Sequence, residues 1–224
     1  MSLPPIELLF VDAHLVVANK PSGLLVHRGW DNDDDVALFR VRDAIGEHVY
    51  PVHRLDRGTS GALVFARTHE AAAALSLAFE SGRVEKRYIA LVRGTPPDSG
   101  VVDYAIQKKE GGPRVPAVTR FRRIATSTVD RCSLVLAIPE TGRLHQIRRH
   151  LRHIDHPLVG DVNHGSGEIN RRFRAEYNLW RLGLHACHLA FDHPITAERI
   201  AITATVPEDF GGPLAALGLP RDEA

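Results

Sequence analysis

Cysteine is scarce in this chain, and long apolar runs are missing. Cys132 and Cys187 are the two cysteines among 224 residues. Both sit in alternating apolar stretches without metal-ligand spacing, so neither a disulfide scaffold nor a cysteine-built metal site is implied. No stretch stays apolar long enough to span a bilayer, and no secretory signal is recognisable, which makes the cytoplasm the expected location. Internal repeats and low-complexity segments are absent. Net charge is almost absent too: at +1 it announces no nucleic-acid partner by itself.

What is present is a globular composition, with 44% hydrophobic and 25% charged residues. The length suits one large domain or two small ones. The charges are unevenly spread. Lys108 to Arg123 holds Lys108, Lys109, Arg114, Arg120, Arg122 and Arg123 against Glu110 alone. Arg143 to His153 holds four arginines and three histidines with no acid. Compensating acids gather elsewhere, as at Asp31 to Asp35. That asymmetry fits a polyanion held on one face.

Read in order, Ile6–Phe10 and Leu15–Asn19 flank Val11-Asp12-Ala13-His14, a hairpin connection. Lys20-Pro21-Ser22-Gly23 is a turn. Residues 36–45 form a predicted helix that Gly46 stops. Thr68 caps a predicted helix from His69 to about Glu80, and Gly82 ends it. Strands are expected over 88–92, 117–124, 132–138, 184–191 and 199–205. Gly94 to Gly100 is expected as a loop. Arg143 to His153 reads as a helix whose Leu144, Ile147, Leu151 and Ile154 form a buried stripe. Arg148, Arg149 and Arg152 lie mainly off that stripe and are expected to face a ligand. Residues 160–177 are expected as a loop with a short helix. Short strands, hairpin-length links and few helices give an α+β class with a largely antiparallel sheet.

The densest chemistry lies in His53-Arg54-Leu55-Asp56-Arg57-Gly58-Thr59-Ser60-Gly61. One carboxylate stands between two arginines in a polar loop, and the apolar run Gly61 to Ala66 follows as a buried strand. A loop pinned to a strand can hold one side chain at a fixed position. A protein-kinase catalytic loop is excluded, because its Asp directly follows the Arg and an Asn lies five residues further on. The string resembles the H-R-L-D-x-x-T-S-G motif of the RluA-type pseudouridine synthases. Asn19-Lys20-Pro21-Ser22-Gly23, Glu85-Lys86-Arg87-Tyr88 and Thr141-Gly142-Arg143-Leu144-His145-Gln146-Ile147-Arg148 match the same family in the same order. The resemblance runs from about Ile6 to about Thr205. One departure is visible: Gly58 stands where close relatives often have proline, which loosens the loop.

The resemblance implies a mixed, mostly antiparallel sheet with flanking helices and a central RNA-binding cleft. A single catalytic domain over residues 1–224 is expected, without the small N-terminal RNA-binding domain of some relatives. Asp56 is implied as the catalytic nucleophile. Arg143 is implied as the cation that keeps that carboxylate ionised when a base covers it. Tyr88 is implied as the face on which a flipped uracil stacks, with a hydroxyl that can accept the ring proton. Arg54 is implied to fill the gap left by the base, and Ile147 to form the apolar wall opposite. His53 and Arg148 complete the implied substrate-binding set. Neither metal nor organic cofactor is expected. The histidines from His145 to His164 lack metal-ligand spacing and stand among arginines. The expected partner is RNA, bound by a monomer. Within the family, Val26-His27-Arg28-Gly29-Trp30 and Ile154 to Gly165 resemble the synthases that modify uridine 65 of transfer RNA, which makes that uridine the expected target; a ribosomal uridine is the alternative. A noncatalytic RNA-binding module would lack Asp56, Tyr88 or Arg143, and all three are here. A metal-dependent hydrolase would lose activity to a chelator.

Overall fold

The computed structural model describes residues 5–28, 33–107 and 111–221. The elements are β1 (Glu7–Val11), β2 (Leu15–Lys20), α1 (Ala37–Ile45), β3 (Tyr50–Pro51), β4 (Ser60–Ala66), α2 (His69–Glu80), β5 (Glu85–Arg93), β6 (Ser99–Asp103), β7 (Ile106–Gln107), β8 (Arg114–Val115), β9 (Val118–Thr126), β10 (Cys132–Pro139), α3 (Gln146–His153), α4 (Gly167–Tyr177), β11 (Leu184–Asp192), β12 (Arg199–Thr203) and α5 (Glu208–Ala216). The strands pair mostly antiparallel and helices flank them, the α+β class expected. Where one domain is expected, packing groups the chain into two compact units. The first runs up to Glu85 and adds Ala186–Thr205; the second is Lys86–His185 with the residues from Val206 on.

In the first unit, Asp12 makes the hairpin connection. Its Oδ1 accepts the N–H groups of His14 at 2.7 Å and Leu15 at 2.8 Å, a side-chain turn that starts β2. β2 pairs antiparallel with β4 from Leu15↔Ala66 to Lys20↔Gly61. β3 also pairs with β4, and β12 with β11. Every residue of β4 is buried, as an unbroken apolar run requires. Thr68 Oγ1 accepts the Ala71 N–H at 3.2 Å and opens α2, which lays Ala71 and Leu75 on Leu15, Val17, Val64, Leu189 and Phe191. α1 ends where expected, with Gly46 left-handed at φ 72°.

In the second unit, β5 pairs with β10, β10 with β9, and β9 with β6. Ala90 and Val92 of β5, Val135 and Ala137 of β10, Phe121 of β9, and Ile147 and Leu151 of α3 share one core. α3 starts at Gln146, three residues after the expected start. His145 is left-handed at φ 53°, a conformation that cannot continue a helix backwards. Leu144, expected in the buried stripe, is therefore outside the helix and 48% exposed. α4 is longer than the short helix expected. α5 has no counterpart in the sequence reading, because Gly211, Gly212 and Pro213 are poor helix formers. Packing overrides propensity there: Phe210 and Leu214 are fully buried, and Arg181 binds Asp209 at 2.8 Å. Burial pushes the Cys132 thiol up to about 11, so it is an inert core residue.

A buried polar chain ties α3 to β9. His150 is fully buried; its Nε2 lies 2.9 Å from the Tyr104 carbonyl and must donate to it. Its Nδ1 then accepts the Thr119 hydroxyl at 2.9 Å, and Thr119 Oγ1 accepts from Gln146 Nε2 at 3.0 Å. This arrangement uses the neutral ring. Burial holds the imidazolium of His150 below the ordinary histidine range, with the Tyr104 carbonyl partly opposing.

Two outcomes follow from this packing. Gly61 has φ +115°, and a Cβ there would lie 2.2 Å from the Ala186 carbonyl oxygen. Gly61→Ala should cost at least ~2 kcal/mol, read as a lowered denaturant midpoint. For His150, the folded chain binds a proton less readily than the unfolded one. Stability is therefore full above about pH 6.5 and falls as pH drops from there toward the depressed folded value. Denaturant midpoints should decline between about pH 7.5 and 5.5, and His150→Gln should flatten that decline. Equal midpoints for the native chain would contradict neutral burial.

Candidate active site

Asp56 occupies the loop between β3 and β4. The Thr59 N–H donates to the Asp56 carbonyl at 3.0 Å, closing a tight turn over Arg57 and Gly58. The turn is clamped by the Lys20-Pro21-Ser22-Gly23 segment. Lys20 is fully buried, and its ammonium donates to the carbonyls of Leu24 at 2.7 Å, Pro21 at 2.9 Å and Arg57 at 3.3 Å. Ser22 Oγ donates to the Gly58 carbonyl at 2.8 Å. The Gly23 N–H donates to the Arg57 carbonyl at 2.8 Å, and Arg57 Nε returns a bond to the Gly23 carbonyl at 3.0 Å. Gly58 thus lacks the stiffness of proline, but its carbonyl is held by Ser22. Leu55 and Thr59 are buried on either side, while the Asp56 side chain is half-buried and Arg54 is exposed. A carboxylate on such a turn reaches solvent from a fixed base.

His53 has a different place from the one expected. Its ring stacks on Phe79, with centroids 4.3 Å apart, and its Nε2 accepts the Val64 N–H at 3.0 Å. The ring joins the loop to β4 and α2, which makes it a support for Asp56.

In the second unit, Tyr88 pairs with Ala137 across β5 and β10 and packs half-buried against the core that contains Ile147. The aromatic ring and the apolar wall expected from sequence therefore share one cluster. Lys86, two residues earlier and so on the same face of β5, is buried; burial pushes its ammonium below the usual lysine range.

Arg143 is exposed in the turn before α3. Its Nε donates to the Pro116 carbonyl at 3.2 Å. Its backbone N–H donates to Gln146 Oε1 at 2.9 Å, and the Thr141 hydroxyl donates to the same oxygen at 2.7 Å. Gln146 Nε2 reaches the Val118 carbonyl at 2.9 Å. Gln146 thereby fixes the Arg143 turn to β9. Neither Lys20 nor Gln146 drew a role from sequence; their signal was that each lies inside one of the matched motifs.

Arg148 corrects an expectation. It is buried, and its guanidinium grips Asp161 with Nε to Oδ2 at 2.7 Å and Nη2 to Oδ1 at 2.8 Å. Burial alone would raise the Asp161 carboxyl; the Arg148 hydrogen bonds overcome it and hold the group below the usual carboxylate range. Arg149 donates to the Gln107 carbonyl at 2.9 Å, and Arg152 is exposed. The other basic strip is partly neutralised: Arg120 pairs with Glu140 and Arg123 with Asp98. Arg114 lies over the Tyr104 ring at 4.8 Å, and Arg122 is exposed. Lys108, Lys109, Gly29 and Trp30 lie outside the described residues. The clustered histidines take separate partners. His145 meets His164, His153 stacks on Tyr104 with centroids 3.7 Å apart, and His156 donates to the Arg93 carbonyl at 2.8 Å.

The family described as RNA pseudouridylate synthase matches residues 14–153. The chain is 41% identical to tRNA pseudouridine synthase C of Yersinia pestis, over 95% of this chain and 91% of that one. It is 40% identical to the protein of that name in Vibrio parahaemolyticus, over 92% of each. Among solved structures, human RNA pseudouridylate synthase domain containing 4 superposes with a TM-score of 0.78 at 28% identity, covering 96% of this chain and 94% of that one. The chain belongs to the RNA pseudouridylate synthase family and is an RNA pseudouridine synthase.

Proposed function

We propose that the enzyme isomerises a uridine of transfer RNA, at position 65, with Asp56 as nucleophile and the target base flipped out of its helix. The observation that carries the catalytic assignment is the clamped turn: Lys20 and Ser22 hold the Arg57 and Gly58 carbonyls, so the neighbouring carboxylate is presented from a rigid base. The transfer-RNA assignment is supported by relatives named tRNA pseudouridine synthase C at 38–42% identity.

The reaction breaks the bond from ribose C1′ to uracil N1, turns the ring, and joins C1′ to C5. N1 gains a proton and C5 loses one, so nothing is consumed. A carboxylate can bond covalently to the intermediate and leave again. It must be ionised while a base covers it, and burial opposes that. Arg143 supplies the compensating charge, with a planar fork that stays protonated at any working pH. Tyr88 stacks on the uracil, returning roughly 1–3 kcal/mol against the few kcal/mol that flipping costs. Its hydroxyl takes the C5 proton, and Ile147 closes the opposite side. Arg54, exposed beside the nucleophile, fills the space the base vacates. His53 positions the loop. The enzyme works as a monomer in the cytoplasm, without metal or organic cofactor.

Unmodified tRNA transcripts and ribosomal RNA, incubated with the protein and mapped for pseudouridine, test the substrate. Position 65 of tRNA should be modified; product in ribosomal RNA alone would overturn the target and leave the chemistry standing. Asp56→Asn should abolish turnover and keep RNA affinity within a few fold, and product at a near-normal rate would remove Asp56 from its role. Arg143→Lys should lose at least about tenfold in rate, on the order of 1.4 kcal/mol, because a point charge cannot replace the fork. Tyr88→Phe should bind RNA and stall; full activity would confine Tyr88 to stacking.

A further inference from the structure

We infer that His164 is a positioning residue for Arg143, acting through a hydrogen bond between two imidazoles. The inference rests on the reading of Arg143 as a catalytic group. His145 Nδ1 and His164 Nε2 are 3.1 Å apart, with the rings edge-on at 74°. His145 follows Arg143 by two residues, and its left-handed backbone at φ 53° is costly for a residue with a Cβ. That conformation must be held from outside. The Gln146 N–H donates to the Arg143 carbonyl at 3.0 Å from one side, and the His145 ring is held by His164 from the other.

His164 is itself anchored. Its N–H donates to Asp161 Oδ1 at 3.0 Å, and the Asn163 N–H donates to the same oxygen at 2.9 Å. Asp161 is the carboxylate that Arg148 grips through both oxygens. The segment from Asp161 to His164 is therefore clasped to the α3 region at two points, Arg148 within the helix and His145 just before it. The Arg148–Asp161 clasp is fully charged throughout the working range of pH. The His145–His164 clasp is titratable, and it is the one beside Arg143.

An N–H···N bond needs one donor and one lone pair. It survives when neither ring or one ring carries an extra proton, and it fails when both do. Burial disfavours the charged ring of His164; Asp161 opposes that, and Arg148, His145 and Arg152 add to it. The bond is thus intact at neutral pH and is lost on acidification, releasing the Arg143 turn while the Arg148 clasp still holds. Arg143 then spends part of its time away from the reacting geometry, and turnover falls with RNA binding little changed.

Single-turnover rates and RNA affinities of the full chain on an unmodified tRNA transcript, between about pH 5.5 and 8.5, test this. His164→Ala should lower the rate about tenfold at neutral pH with affinity within about twofold. His164→Gln keeps a hydrogen-bonding group without the titration; it should recover most of the rate and flatten the acid limb. A wild-type rate for His164→Ala beside an impaired Arg143→Lys would overturn the inference and leave Arg143 in place. A wild-type rate for Arg143→Lys would remove the reading on which the inference rests. If His164→Ala does not fold, the acid limb of His164→Gln decides: a limb unchanged from the native chain overturns the inference.

Discussion

The ammonium of Lys20 is the constraint on which the Asp56 loop depends. A charge without solvent costs several kcal/mol unless its donors are all engaged. Here the donors reach carbonyls at Pro21, Leu24 and Arg57, so two segments far apart in sequence are tied to one point. Neither segment can drift without stranding the charge. The position of Asp56 is therefore inherited from β2 and β4, the most buried strands of the first unit, rather than from the loop's own flexible residues.

The second unit reaches the same end by different chemistry. Around Arg143 the anchor carries no charge. A neutral amide, Gln146, takes two hydrogen bonds on its oxygen and gives two from its nitrogen. The stretch from Thr141 to Arg148 thus divides in two. Its first half is an exposed turn carrying the Arg143 guanidinium, and its second half is a buried helix start that carries the anchors. Two arginines five residues apart have opposite tasks: Arg143 is solvent-facing, and Arg148 is sealed against Asp161.

Much of this was legible in the sequence, for local reasons. The apolar run of β4 could only be a buried strand, Thr68 announced α2, and Gly46 announced the end of α1. The order of the motifs carried the family. What stayed hidden depends on partners distant in sequence. Arg148 reads as a surface charge until Asp161 folds over it, thirteen residues on. His53 reads as part of a polar loop until the Val64 N–H and the Phe79 ring reach it. The start of α3 was misplaced because nothing local marks His145 as left-handed. α5 escaped because its glycines and proline argue against the helix that Phe210 and Leu214 enforce.

The division of the first unit between two separated stretches of the chain has a consequence for synthesis. β4 lies next to β11 in the strand order, and every residue of β4 is buried in the finished protein. Yet β4 leaves the ribosome at Ala66, and β11 begins only at Leu184. At ~5–20 residues per second, that gap of roughly 120 residues leaves an apolar strand edge without its neighbour for on the order of ten seconds. An unpaired edge of that composition is a template for pairing with other chains. The nascent protein therefore offers other chains a pairing edge that the completed enzyme has covered.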